Sequence, residues 1–522
     1  IGGNNDSGTD TTIFGKNAGS QIAADGYYNT AFGTSAAQDT TTGDRNTAIG
    51  SFALYRNTTG GQNTAIGADS MGNNSGGTDG GSNTAVGAYS LYDITGGDRN
   101  VAVGMATSEN LTTGNDNTAV GTQALIKNQT GANNVAIGKD ALYHQNVNST
   151  VGVGQGAGYF SSGSQNVYMG TNAGYYQGNG TLNTYIGDSA GRGFGLSVAT
   201  ANTGNTGIGG SSLYSITTGN YNTAVGKSAG NSLTTGTYNV LVGIEAGQNV
   251  YKTSYSTHIG GNAGRYASGS SNTFMGYQAG KGGTTSAPYS TGTNNVAVGV
   301  YALDAFTSGY QNVAFGYQAA TDLTTAYYGT YIGTQAGQNV TSGNTNTFIG
   351  WQSGNAVTDT SNKIAIGYRA GYADGGAMDV HIGYEAGRNV TAGGNISIGR
   401  SAGQGYHGVS QTEFQTNTTN RYNVSIGNFA GQRVIGTSNV HIGHEAGQNA
   451  SGSGNTFIGY EAGIGGNTSA PYSSGQYNVA MGYHALTAFT TGDSNVAIGY
   501  DTGDSITSGA RNVAVGQSAL GA

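Results

Sequence analysis

Apolar and polar residues alternate in one short motif that returns along the whole chain. A clear copy is NTAIGSFAL at residues 46–54, and the last is NVAVGQSAL, which begins at Asn512. Counted by the central glycine, there are 29 copies from Gly15 to Gly516, and most follow the preceding copy by 16 or 17 residues. A short, fixed period is typical of a stacked repeat fold.

We number the motif from position 1 (Asn46) to position 9 (Leu54). Position 4 is apolar in all copies and position 2 is mostly Thr or Val, so these two share one face of a short β-strand. Position 3 points to the other face, and it is Ala in many copies but aromatic or His in others. Position 8 is Ala, Ser or Thr in every copy. A side chain that is always small predicts a thin interior with closely spaced walls.

Segments rich in Thr, Gly, Asn and Asp separate the motifs, for example TTGDR at residues 41–45. Such residues favour turns. Each repeat is therefore predicted to form two short strands and two turns. The fold class that follows is all-β: a parallel β-solenoid or β-roll of about 29 short coils, running as a single continuous region over residues 1–522.

Position 1 is Asn in 23 copies, and stacked coils would place these amides in a ladder. We interpret this ladder as structural rather than as a ligand site. The six exceptions are Thr11, Thr150, Ser256, Gly329, Lys363 and Asp379.

The repeat spacing lengthens near residues 192–201, 281–292, 404–421 and 464–475, which predicts loops that leave a regular wall. Two insertions, GGTTSAPYSTG at 282–292 and GGNTSAPYSSG at 465–475, match at an offset of 183 residues, within a duplicated unit of ten coils. The insertions are the candidate ligand-binding segments, and their aromatic and His residues are the candidate contacts: Tyr289, Tyr472, Tyr406, His407 and Phe414.

Composition argues against several functional classes. The net charge of −8 is spread without a Lys/Arg run, so nucleic acid and anionic membranes are not expected partners. There is no Cys for disulfides or thiolate metal sites, and no apolar run long enough to insert into a membrane. The seven His are dispersed, without carboxylate partners at ligand spacing. We therefore predict no catalytic site, no metal and no cofactor, and the protein is not expected to be an enzyme.

Tyrosine is in excess, with 35 residues, several of them at position 6, directly after the motif glycine. One interpretation is an aromatic ladder that stacks from coil to coil. The other is a strip of exposed rings that binds sugars.

The NTAIGxxA motif, carried here by Asn46, Ala48, Ile49, Gly50 and Ala53 and their equivalents, resembles the head repeats of trimeric autotransporter adhesins. It is also similar to repeat segments of phage tail fibres. The adhesin heads are left-handed parallel β-rolls in which three chains pack side by side. The period here is longer than in those heads, and neither a heptad stalk nor a membrane anchor is seen.

From this resemblance we expect a left-handed, trimeric, extracellular structural protein that serves as the shaft or adhesive head of a fibre or filament. The partner is then another copy of the chain, and the lack of a polar capping repeat at either end favours end-to-end assembly or a longer parent protein. Position 3 is the predicted inter-chain face, represented by His258, Phe274, Tyr331, Phe348, His381, His441 and Phe457. The alternatives are a tail-fibre shaft that recognises surface glycans and, less favoured, an ice-binding solenoid.

Overall fold

The computed structural model describes residues 10–23, 25–72, 79–144, 146–194, 201–283, 289–405, 420–466 and 473–521. Over these residues the protein is all-β, with 29 strands of three residues each and no helix. Each strand consists of positions 2, 3 and 4 of one motif copy. The predicted fold class, a parallel β-solenoid, is confirmed.

Residue contacts divide the chain into two units, Ile1–Ser256 and Thr257–Ala522. The strands of the first unit are β1 (Thr12–Phe14), β2 (Thr30–Phe32), β3 (Thr47–Ile49), β4 (Thr64–Ile66), β5 (Thr84–Val86), β6 (Val101–Val103), β7 (Thr118–Val120), β8 (Val135–Ile137), β9 (Val151–Val153), β10 (Val167–Met169), β11 (Thr184–Ile186), β12 (Thr206–Ile208), β13 (Thr223–Val225) and β14 (Val240–Val242).

The strands of the second unit are β15 (Thr257–Ile259), β16 (Thr273–Met275), β17 (Val296–Val298), β18 (Val313–Phe315), β19 (Thr330–Ile332), β20 (Thr347–Ile349), β21 (Ile364–Ile366), β22 (Val380–Ile382), β23 (Ile396–Ile398), β24 (Val424–Ile426), β25 (Val440–Ile442), β26 (Thr456–Ile458), β27 (Val479–Met481), β28 (Val496–Ile498) and β29 (Val513–Val515).

Within each unit every strand pairs in parallel with the next, and equal motif positions stand opposite each other. Ala48 of β3, for example, is paired with Ala65 of β4, and Tyr331 of β19 with Phe348 of β20. The repeat period thus fixes the register, because each coil places the same three residues beside those of the coil before it.

The motif is followed by a turn, not by the predicted second strand. In the third coil, position 5 (Gly50) has a φ of 136°, and positions 7 and 9 (Phe52 and Leu54) have φ of 56° and 52°. The Phe52 N–H donates to Thr34 O of the preceding coil, and the Leu54 N–H donates to Ser70 O of the following coil, each at 2.9 Å. The left-handed residues at positions 7 and 9 therefore direct their N–H groups to the preceding and the following coil, respectively. The prediction of two strands per coil is wrong.

Positions 3, 8 and 9 fill the interior. Where position 3 is Ala, position 9 is often Leu, as in Ala48 and Leu54, and both side chains are fully buried. Where position 3 is aromatic or His, position 9 is Gly. A Cβ atom added to Gly354 would lie 2.4 Å from Phe348 Cδ2, and one added to Gly191 would lie 2.3 Å from Tyr185 Cγ. Many coils are thus filled either by Ala with Leu or by a large ring with Gly.

The predicted inter-chain face at position 3 is therefore wrong. Its seven residues lie inside their own chain and are at most 1% exposed: His258, Phe274, Tyr331, Phe348, His381, His441 and Phe457. The physical reason is that position 9 is missing a side chain in those coils, so the ring at position 3 is needed to fill the space. Positions 2 and 4 instead face outward in every strand.

Candidate functional site

The Asn residues at position 1 form the predicted ladder. The Asn63 side-chain oxygen accepts the backbone N–H of Asn83 at 2.9 Å, and its amide donates to Gly80 O at 2.9 Å. The backbone N–H of Asn63 in turn donates to the side-chain oxygen of Asn46. One side-chain amide therefore satisfies the N–H just before a strand and a turn carbonyl of the next coil, and the prediction of a structural ladder is confirmed.

A buried group of charged residues interrupts this ladder in the second unit, and we call Lys363, Asp374, Asp379 and His381 the charged cluster. Lys363 and Asp379 occupy position 1 of adjacent coils, where most coils have Asn, and both are at most 1% exposed. Lys363 Nζ lies 2.9 Å from Asp374 Oδ2 and donates to the Asp374 carbonyl at 2.6 Å. His381 Nε2 lies 3.0 Å from the same Oδ2 atom.

The two carboxylates of the charged cluster differ in their partners. Asp374 Oδ1 accepts the Gly376 N–H, so both of its oxygens are engaged. Asp379 Oδ1 accepts the Asn395 N–H at 2.7 Å, but Asp379 Oδ2 has no hydrogen-bond partner among the described residues, and neither has His381 Nδ1. One ligand atom each from Asp374, Asp379 and His381 can be chosen so that all lie within 4.8 Å of one another.

Burial and neighbouring charges shift the pKa values of the two carboxyl groups in opposite directions. Burial raises the pKa of Asp374, but the Lys363 ammonium and His381 more than offset this and leave it below its ordinary value. Burial and the nearby Asp374 charge raise the pKa of Asp379 to about 7. The charged cluster thus has one carboxylate stabilised by Lys363 and a second whose negative charge is poorly compensated.

The sequence interpretation that the histidines lack carboxylate partners is therefore wrong for His381, and also for His484, which lies close to Glu461 and Asp501. The chain contained a signal for the cluster: Lys363 and Asp379 are the two charged exceptions in the Asn ladder, and they stand in neighbouring copies of a sequence with only 8% charged residues. Asp374 had no such signal, because it lies in the turn between them and only the fold brings it close.

The next two coils are underfilled. Position 3 is Ser397 in β23 and Ser425 in β24, while position 9 remains Gly403 and Gly431, so neither a ring nor a Leu fills the interior. These four residues line a cavity of about 10 Å³, which is about the space needed for one water molecule.

Two other interior histidines are unlike His381. Neither ring nitrogen of His258 or His441 has a hydrogen-bond partner in the described part of the chain. Burial lowers the pKa of each to about 3, so both imidazoles are neutral at ordinary pH. They act as space-filling rings at position 3, stacked on Phe274 and Phe457 respectively.

The outward residues at positions 2 and 4 form an uncharged, largely apolar band along each unit, which we call the apolar ridge. Position 2 is Thr, Val or Ile and position 4 is Ile, Val, Phe or Met in each of the 29 strands, and no charged residue occurs at either position. Ile332 and Ile382 are each 37% exposed, and Phe315 is 55% exposed. Side chains of this kind usually lie in a core.

Outside the interior, many tyrosines stack from coil to coil, as one of the two sequence interpretations predicted. Tyr368 stacks on Trp351 and on Tyr384, each with ring centroids 4.8 Å apart, and Tyr238 stacks on Tyr221 and Tyr255 at 5.1 and 5.5 Å. Each middle ring has both faces covered by its neighbours. A sugar stacks on an exposed ring face, so these rows do not offer the surface that the second interpretation requires.

Of the candidate ligand-binding residues, Tyr289 is half-buried and stacks on Tyr266 with ring centroids 5.8 Å apart. The other four, Tyr472, Tyr406, His407 and Phe414, lie outside the described residues.

Comparison with known proteins found no match: no family model fits the chain, and no curated protein resembles it in sequence. No helix in the described residues has the length and apolar character needed to span a membrane.

Proposed function

We propose that this protein is a non-enzymatic structural subunit of an extracellular fibre or filament, in which left-handed solenoids associate side by side as a trimer through the apolar ridge. The observation that carries this proposal is the ridge itself, which remains outward, apolar and free of charge along both units. The left-handed coiling and the number of three chains per assembly are taken from the resemblance to adhesin-head repeats.

The size of the ridge supports a role in association. Strands in a sheet lie ~4.8 Å apart, and two outward residues of one strand are ~7 Å apart, so 14 or 15 strands present roughly 600 Å² per unit when side-chain width is included. That is at the upper end of the largest apolar patch found on typical monomers, and the band of one unit approaches the roughly 800 Å² that each partner contributes to a standard interface.

The repeat pattern argues that the partner is another copy of the chain. The ridge repeats in successive coils, with an apolar side chain at position 4 and Thr, Val or Ile at position 2 of each strand. A partner that contacts it along its length needs a matching repeat, and a second and third copy in the same orientation supply one. Continuous strand pairing and the Asn ladder would then stiffen the fibre.

The test is the molar mass in solution, measured by light scattering. We expect three chains for the wild-type protein, and single chains for a variant with Ile332→Lys, Ile382→Lys and Ile442→Lys, because the ammonium groups would have to be buried. A matched control places lysines on an exposed turn row instead: Tyr328→Lys, Tyr422→Lys and Tyr477→Lys. This control should keep the wild-type mass.

A wild-type mass of one chain, or a ridge variant with the mass of the wild type, would contradict the proposal. Circular dichroism of both variants should match the wild type, because all six positions face solvent in the single chain. Substitution at Phe348 is no test of association, since Phe348→Asp would bury a carboxylate within its own coil and unfold it locally.

A further inference from the structure

The charged cluster places two carboxyl groups beside one ammonium group in a site that is at most 1% exposed. Lys363 Nζ lies 2.9 Å from Asp374 Oδ2, whereas Asp379 Oδ2 has no hydrogen-bond partner among the described residues. Isolated buried charges are strongly unfavourable, so such a site takes up a counter-cation. The counter-cation is either a proton or a metal ion.

Two orphaned atoms distinguish these possibilities. Asp379 Oδ2 and His381 Nδ1 have no partner among the described residues, although both residues are at least 99% buried. A proton on one carboxyl oxygen would occupy one atom, whereas a metal ion needs several unprotonated ligands at once. The cluster offers one from each of three residues within 4.8 Å, a separation from which small side-chain rotations reach the spacing of ligands around one ion.

We propose that Asp374, Asp379 and His381 bind one divalent transition-metal ion inside the second unit, with Lys363 held on Asp374 beside it. Two carboxylates and an imidazole form a donor set suited to zinc and to similar borderline ions. Lys363 would fix the orientation of the Asp374 carboxylate from outside the coordination sphere, as groups beyond the first ligands commonly do.

The position of the site indicates what the metal would do. Asp379 stands in the Asn ladder, and its Oδ1 accepts the Asn395 N–H from the next coil, while Lys363 N–H donates to the Asn346 side chain of the preceding coil. A metal bound here would join the turn that holds Asp374 to the strand that holds His381. The ion is therefore a structural cross-link within the solenoid.

The test uses the full chain, unfolded, stripped with a chelator and refolded in Co²⁺. We expect one Co²⁺ per chain by elemental analysis, visible d–d absorption, and loss of that absorption when Zn²⁺ replaces the cobalt. Asp379→Asn should weaken binding at least 100-fold. This variant restores the residue that most coils have at position 1, so it should fold, and circular dichroism checks that it does.

A second variant guards against a folding defect. His381→Phe introduces a ring that fills position 3 in other coils, such as Phe274 and Phe348, and it should also lose the metal. Lys363→Asn removes the ammonium that holds the Asp374 carboxylate and leaves the ligands, so Co²⁺ affinity should fall by about 10- to 100-fold without loss of the site. A residue that does not position a metal ligand would leave the Co²⁺ affinity unchanged.

The matched control is His484→Gln. His484 lies at the surface, with Nε2 3.2 Å from Glu461 and Nδ1 3.3 Å from Asp501, and it is the obvious competing site. Its substitution should leave one Co²⁺ per chain. The proposal is overturned if the wild-type chain binds no Co²⁺ after refolding, if Asp379→Asn and His381→Phe keep it, or if His484→Gln removes it.

Discussion

At the scale of single residues, the exchange between positions 3 and 9 determines which side chains the interior can hold. Phe348→Ala should destabilise its coil by about 3–5 kcal/mol, the usual cost of removing a buried ring. Gly354→Leu alone should also destabilise, because its Cβ would overlap the Phe348 ring. The double variant recreates the pair seen in Ala48 and Leu54, and we expect it to recover at least half of the lost stability.

Chemical denaturation of the two single variants and the double variant measures this coupling. Additive losses in the double variant would show that the two positions fill independent spaces, contrary to the packing seen here.

This exchange also explains why the inter-chain face was predicted on the wrong side. A period of two shows which residues share a face of a strand, but it does not show which face is inside. Both faces are mostly apolar here, since position 4 is always hydrophobic and position 3 is Ala or a ring in most copies. The pairing of large position 3 residues with Gly at position 9, as in Tyr168 and Gly174, was present in the sequence and identifies the inner face.

A pH dependence follows from the buried histidines. The pKa of His258 is about 3 in the folded protein and about 6.5 when exposed. Above pH 6.5 the imidazole is neutral in both states and has no effect. As the pH falls from 6.5 towards 3, His258 becomes protonated in the unfolded chain but stays neutral in the folded protein. The free energy of unfolding therefore decreases, by up to ~5 kcal/mol for this group.

His258→Phe should reduce this acid sensitivity, because Phe fills the same position in other coils and does not titrate. Melting temperatures of wild type and variant, measured from pH 7 to pH 4, provide the check. At pH 7 the two should differ little, and the gap should widen towards pH 4 in favour of the variant. Parallel curves over that range would show that His258 is protonated in the folded protein.

At the scale of the elements, strand positions and register were predictable, because every copy supplies the same three residues at a fixed period. The turn that replaces the predicted second strand was not predictable. Non-glycine residues such as Phe52 and Leu54 adopt left-handed φ values that such side chains rarely take. Local preference would not assign them there, and the hydrogen bonds to the neighbouring coils, together with the burial of Leu54, stabilise this conformation.

The Asn ladder permits a direct test at this scale. Asn63→Ala removes the acceptor of the Asn83 N–H and the donor to Gly80 O, and both groups are buried. Leaving them unpaired should cost about 2–4 kcal/mol. Amide hydrogen exchange at Asn83 should accelerate accordingly, by roughly 30-fold or more. In the neighbouring exposed residue, Gln62→Ala should change exchange at Asn83 by less than threefold.

At the scale of the whole molecule, the period and motif predicted the solenoid, whereas the charged cluster depends on residues that only the fold brings together. The two copies of the duplicated sequence have closely similar side-chain packing. Phe274 and Phe306 have ring centroids 5.5 Å apart at 58°, and their counterparts Phe457 and Phe489 are 5.4 Å apart at 58°. Equivalent coils in the two copies are therefore packed alike.

The internal equivalence predicts that ten coils can be removed without loss of the fold. Deleting residues 274–456 joins Thr273 to Phe457, so that a Thr-Phe-Ile strand replaces Thr-Phe-Met in the same register. Since each coil contacts only its neighbours, the remaining coils keep equivalent packing on both sides. We expect unchanged circular dichroism per residue and undiminished resistance to protease.

A control deletion of residues 282–456 joins a turn to a strand in mid-coil, and it should expose the junction to cleavage. Equal protease resistance of the two deletions would show that register at the junction does not control stability, and rapid cleavage of both would show that the duplicated coils are not interchangeable.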